Sequence, residues 1–83
     1  MNIIIIDSIK LTDKKEAHEY IESTLHFPDH YGKNLDALAD CLSELPYDTA
    51  VIVKESPNTS GYAAQMLNVF DEILVRGKRI IYI

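Results

Sequence analysis

The sequence has one cysteine among 83 residues, so no internal disulfide can form, and neither a paired CxxC motif nor a run of histidines offers a structural metal site. The fold must therefore stand on packing alone, which suits a reducing compartment. Basic residues are also scarce, eight against thirteen acids, for a net charge of −5. That balance argues against nucleic acid as a direct ligand, because phosphate binding needs clustered Lys and Arg to release counterions. A cationic partner is the better expectation. Long apolar runs are missing too. Ile3-Ile4-Ile5-Ile6 lies between Asn2 and Asp7, far short of the roughly 7 to 15 apolar residues of a signal peptide or about 20 of a membrane span. The run reads as a buried strand, no membrane partner is expected, and the chain is expected to be cytoplasmic.

What is present is enough for one core. Hydrophobic residues make up 47% of the chain, and a domain of this size buries only about 60% of its unfolded surface, so residues 1–83 are read as a single domain. Three segments rich in Ile and Val read as strands: Asn2 to Ile6, Thr49 to Lys54 and Arg79 to Ile83. Being apolar at successive positions, they are expected to be covered on both faces of a parallel sheet. Helical patterns lie between them. One runs from Asp13, a cap with Glu16 three residues on, to Leu25, with Ala17, Tyr20, Ile21, Thr24 and Leu25 at helical spacing, and Phe27-Pro28 ends it. A second runs from the cap residue Asn34 to about Glu44, with Gly32 supplying backbone freedom before it and Pro46 closing the exit. A third runs from Ser60 or Gly61 to Arg76 on the stripe Ala63, Met66, Leu67, Phe70, Ile73 and Leu74, stopped by Gly77. Ser56 to Ser60 reads as a loop. The order implies an α/β fold with right-handed crossovers, a small three-stranded parallel sheet packed with about three helices.

Charge is uneven along the chain. Between Phe27 and Asp48 the acids are Asp29, Asp36, Asp40, Glu44 and Asp48 against Lys33, a local sum of −5 + 1 = −4. At 100° per residue, Leu35, Leu38, Cys41, Leu42 and Leu45 fall on the core-facing arc of the second helix, and Asp36, Asp40, Ser43 and Glu44 on the opposite arc. Asp36 with Asp40, and Asp40 with Glu44, are like-charge pairs that cost an isolated helix about 0.2 to 0.5 kcal/mol each. Lys33 alone is placed to relieve them. Charged helix faces are usually only solvated, but an ordinary one mixes signs, so the uncompensated face also fits an anionic docking surface.

The stretch Phe27-Pro28-Asp29-His30-Tyr31-Gly32-Lys33-Asn34-Leu35-Asp36-Ala37-Leu38-Ala39-Asp40-Cys41-Leu42 closely resembles the hallmark segment of the barstar family. A proline and aromatic residues there lead through Tyr-Gly-x-Asn into Leu-Asp-Ala-Leu-x-Asp-Cys-Leu. The resemblance continues more weakly through the Ile-rich opening, Val51-Ile52-Val53, Val69-Phe70-Asp71-Glu72 and Gly77. It implies a protein that binds one-to-one and neutralises a small, basic, extracellular-type ribonuclease inside the producing cell. It also implies no enzymatic activity of the chain itself and no cofactor. Asp40 would match the carboxylate that takes the place of an RNA phosphate, Asp36 a second acidic contact, and Glu72 a rim contact from the last helix. Gly32 and Asn34 would match the loop and cap that present the helix. Ser43 and Glu44 extend the expected partner-binding face. Ala39 stands where the family has a tryptophan and His30 where it has a tyrosine, which implies a partner held with less aromatic area. The segment between Lys54 and Val69 is shorter than in the family, which implies that a short helix there is trimmed or absent.

Other chemistry is less well supported. Cys41, on the apolar arc, reads as a small hydrophobe rather than a nucleophile. Asp36 and Asp40 could bridge a divalent cation only with further oxygen ligands and a phosphate loop, and no glycine-rich loop exists. His18, Glu22 and His26 recur at four-residue spacing, but a structural zinc site needs four ligands and a solvated stripe is the expected reading. No catalytic or metal residue is assigned. The competing function is an acidic adaptor for a basic partner that is not a nuclease.

Overall fold

The computed structural model describes residues 2–46, 48–57 and 61–83. Its elements are β1 (Asn2–Asp7), α1 (Lys14–Leu25), α2 (Leu35–Ser43), β2 (Thr49–Lys54), α3 (Tyr62–Val75) and β3 (Arg79–Tyr82), with a 3-10 turn over Ser8–Leu11. The expected α/β class, parallel sheet and three helices are all present. Part of the loop assigned to Ser56–Ser60, and Ser60 as a start for α3, fall on residues 58–60, outside the described residues.

Local chemistry sets the helix ends. The Asp13 side chain accepts a hydrogen bond from the Glu16 N–H at 3.0 Å and opens α1. That helix closes where His26 turns left-handed at φ 57°, and the Phe27 N–H reaches back to the Glu22 carbonyl at 3.0 Å. At the end of α3, Gly77 (φ 98°) lets its own N–H reach the Leu74 carbonyl and that of Lys78 reach Ile73, the paired bonds of a Schellman stop. The 3-10 turn carries no period that the sequence could announce. It forms because Asp7 caps it through the Ile9 N–H at 3.1 Å and because Leu11 is fully buried.

The strands pair in parallel in the order β1-β2-β3, with Ile4 beside Val51 beside Ile80 and Ile6 beside Val53 beside Tyr82. Ile6, Val51, Val53 and Ile80 are buried beneath the helices, together with Ile21, Leu38, Leu42, Met66, Phe70 and Ile73 in one core. The other face is open. Ile3 and Ile5 are each 59% exposed, Ile81 51% and Ile83 68%. The expectation that both faces are covered fails for the edge strands, where alternate isoleucines point into water, and holds in the first half of the central strand, where Thr49, Ala50 and Val51 are buried in succession. An unbroken apolar run cannot distinguish a doubly covered strand from a half-covered one whose outer face is also apolar.

At the mouth of α3, the Tyr62 N–H bonds to the Thr12 carbonyl at 3.2 Å, and Gly61 precedes it at φ 67°, ψ −132°. A Cβ on Gly61 would lie 3.0 Å from that same carbonyl oxygen. Gly61→Ala is expected to destabilise the fold by about 1 to 3 kcal/mol, since this backbone region is all but closed to other residues. Urea denaturation at equilibrium measures it.

Candidate functional site

The approach to α2 is built by a short, tightly bonded loop. The Tyr31 N–H bonds to the Pro28 carbonyl at 2.9 Å, and the Phe27 and Tyr31 rings pack with centroids 5.0 Å apart. Asn34 then caps α2 as expected, its Oδ1 accepting from the Ala37 N–H at 2.8 Å while its Nδ2 donates to the Gly32 carbonyl at 3.3 Å. Gly32 plays a different part from the one its type suggested. The left-handed residue is Lys33 (φ 52°), whereas a Cβ on Gly32 would sit 3.3 Å from both the Ala37 Cβ and the Asn34 Nδ2. Gly32 thus lets loop and helix approach closely, and the turn itself is made next door.

The two arcs of α2 separate as the spacing required. Leu38 and Leu42 are buried, and Leu35, Cys41 and Leu45 pack half-buried against the core. Asp36, Asp40, Ser43 and Glu44 are exposed, and so are His30, Gly32, Asn34 and, on α3, Glu72. Ala39 is half-buried against the core. Ser43 turns its hydroxyl back to donate to the Asp40 carbonyl at 2.7 Å. Among the described residues no basic side chain lies within ion-pair distance of Asp36, Asp40 or Glu44. Lys33, expected to relieve them, instead reaches Glu22 on α1 at 3.8 Å, because its left-handed backbone turns it off the axis of α2.

His30, Gly32, Asp40 and Glu44 line one cleft of about 230 Å³, with Ala37 and Cys41 at its sides. The cleft thus brings two exposed carboxylates, Asp40 and Glu44, to its wall. Burial pushes the Cys41 thiol pKa up, and the adjacent Glu44 and Asp40 add to the effect, so the sulfur stays protonated and is a poor nucleophile. A larger cleft of about 420 Å³ lies between the start of α1 and Lys33, where Lys14, Lys15 and Lys33 surround His18. Lys14, Lys15 and Lys33 thus gather away from the acidic face, while Lys78 reaches just past the end of α2, donating to the Leu45 carbonyl at 2.7 Å.

His18 overturns the expectation of a solvated stripe. It is 1% exposed, with Nδ1 at 2.6 Å from the Tyr31 hydroxyl and Nε2 at 2.7 Å from the Tyr62 hydroxyl. A neutral imidazole satisfies both contacts by donating one hydrogen bond and accepting the other. The ring thereby ties α1 to the loop before α2 and to the first turn of α3. Burial lowers its pKa, and Lys14 and Lys33 lower it further. Periodicity could not find this residue, because histidine at a core position looks polar in the sequence. No cluster of metal-ligating side chains occurs among the described residues, and no helix there is long and apolar enough to cross a membrane.

Two comparisons bear on this arrangement. The family model described as Barstar (barnase inhibitor) matches residues 1–79. A Bacillus subtilis (strain 168) protein named "Putative ribonuclease inhibitor YrdF" is 39% identical over 77 residues, covering 87% of this chain and 85% of that protein.

The buried histidine gives a pH dependence of definite sign. Its folded-state pKa lies below the ordinary 6.5, so as pH falls the unfolded chain takes up the proton first. Stability is full above about pH 6.5 and declines below it. His18→Gln should flatten that decline in urea midpoints measured across the acid range. Tyr31→Phe should cost about 1 to 3 kcal/mol at neutral pH by leaving a buried ring nitrogen unpaired.

Proposed function

This chain belongs to the barstar family, and from that premise we propose that it inhibits a small basic ribonuclease of the extracellular type, in a one-to-one complex formed inside the producing cell. The observation that carries the reading is the exposed, uncompensated row Asp36, Asp40 and Glu44 on a helix whose other face is locked into the core. An enzyme that cleaves RNA must hold cationic groups around the scissile phosphate. A carboxylate fixed on a rigid helix can take the phosphate's place among them without the ordering penalty a flexible segment would incur.

Asp40 is the residue assigned to the phosphate position, at the centre of the row and on the wall of the cleft. Asp36 flanks it toward the helix start, where the dipole favours an acid. Ser43 and Glu44 extend the contact at the other end, and Asn34 and Gly32 hold the helix at its entry. Glu72, exposed on α3, which packs against α2, is assigned to the rim. His30 and Ala39 offer less aromatic area than the family pattern carries at those positions, so the partner surface they meet should be correspondingly less dependent on stacking. The chain performs no chemistry in this role. It excludes substrate by occupying the site.

Titration of the inhibitor into a small basic ribonuclease from the same organism should end cleavage at a ratio of one to one. Binding without loss of RNA cleavage would replace this reading by that of an acidic adaptor. Asp40→Ala should weaken inhibition by about 3 kcal/mol or more, roughly a hundredfold, because it strands buried cations on the enzyme. It should exceed the effect of any other single change on the row. Stopped-flow association should slow steeply with added salt, as the steering field is screened over about 10 Å at 0.1 M.

A further inference from the structure

The open face of the sheet forms a three-by-three array set by the strand register. Its rows are Ile3, Ala50 and Arg79, then Ile5, Ile52 and Ile81, then Asp7, Lys54 and Ile83. The third row reaches Ile83 through the Glu55 N–H bonding to the Ile83 carbonyl and the Ile83 N–H bonding to Val53. Four isoleucines of this array, Ile3, Ile5, Ile81 and Ile83, expose roughly 450 Å² in all, within the range of about 300 to 600 Å² of the largest apolar patches on monomers. The helix layer covers the other face; on this one the central-strand residues Ala50 (7% exposed) and Ile52 are buried and half-buried, while the edge isoleucines stand in water.

We propose that this face is an interface for a second copy of the chain, packed sheet against sheet about a two-fold axis. The charges on the array select that occupant. Arg79 and Asp7 stand at diagonally opposite corners. An axis along the other diagonal, from Ile3 to Ile83, brings Arg79 of each copy over Asp7 of its mate, with Ile5, Ile52 and Ile81 enclosed between them. Strands of the two sheets then cross steeply, the orthogonal class of sheet packing. A surface that is its own complement in this way is what an isologous dimer requires. Elsewhere the molecule is a poor self-partner: its net charge is −5, and two acidic α2 faces would repel. The apolar face carries few charges, and its Arg79 and Asp7 meet across the axis as opposite signs.

Extended by the stems of Lys54 and Arg79, the area buried between two copies comes to roughly 1,000 to 1,200 Å², at the lower limit of specific interfaces. The dimer is therefore weak and concentration-dependent. It also leaves both α2 faces outward, so each copy remains free to take its own partner.

Sedimentation of the whole chain from micromolar to millimolar concentration should show the mass rising from 9.4 kDa toward twice that value. Ile81→Lys should hold it at the monomer while leaving ribonuclease inhibition unchanged, which separates this inference from the proposed function. Arg79→Glu and Asp7→Arg should each weaken the dimer about tenfold, and the double variant, with its pairs restored in reversed polarity, should recover it. Circular dichroism on each variant keeps loss of fold apart from loss of association. A chain that stays monomeric at millimolar concentration overturns the inference. So does a dimer indifferent to Ile81→Lys, or a sheet face protected from hydrogen exchange only when the ribonuclease is added.

Discussion

One buried imidazole adds a polar tie between three stretches of chain that the apolar core also brings together. His18, clamped at 2.6 and 2.7 Å between two tyrosine hydroxyls, joins the middle of α1 to the loop that delivers α2 and to the first turn of α3. The loop's own bonds, Tyr31 N–H to the Pro28 carbonyl and Asn34 Nδ2 to the Gly32 carbonyl, are local, and the acids of α2 repel one another along the helix. Remove the clamp and the apolar contacts of Leu38 and Leu42 would still hold the helix down, but the exposed Lys33–Glu22 pair would be the polar tie left between that loop and α1 among the described residues. Burial, helped by Lys14 and Lys33 nearby, keeps the ring neutral by making its charged form unfavourable.

The two sides of the molecule are built on opposite physics. On the helical side, Asp36, Asp40 and Glu44 are held exposed on a rigid helix with no basic side chain at ion-pair distance among the described residues. On the sheet side, apolar area is left in water and charge is reduced to Asp7, Lys54 and Arg79. A chain of 83 residues has too few helices to cover a sheet twice. Its uncovered face is a direct result of its size, and isoleucine at the outward positions gives that face its character.

Most of the architecture was legible because it rests on short-range rules. Asp13 and Asn34 act as caps, Gly77 as a stop, and the leucines of α2 face inward, each because a backbone group or an apolar stripe admits few alternatives. Two kinds of feature were not legible. Which side of a continuous apolar strand meets water depends on how many helices pack on the sheet, and Ile5 carries no mark of it. Contacts between residues far apart in sequence, such as His18 with Tyr62, follow from topology and leave no periodic signal. Lys33 illustrates the intermediate case: its charge was read from the sequence, but its direction was decided by a left-handed φ. The acidic row lay between these extremes. Its exposure followed from helical geometry, whereas its freedom from internal counter-ions was a matter of where Lys33 turned.

The position of Cys41 has a bearing on durability. Its sulfur lies beside two acids, and their field joins burial in suppressing the thiolate, the form that peroxides and disulfides attack. The acidic face thus contains a thiol whose reactive form its own negative charge disfavours. Sulfenylation or glutathionylation would add bulk at the wall of the cleft, and the neighbouring carboxylates Asp40 and Glu44 are groups that slow such damage.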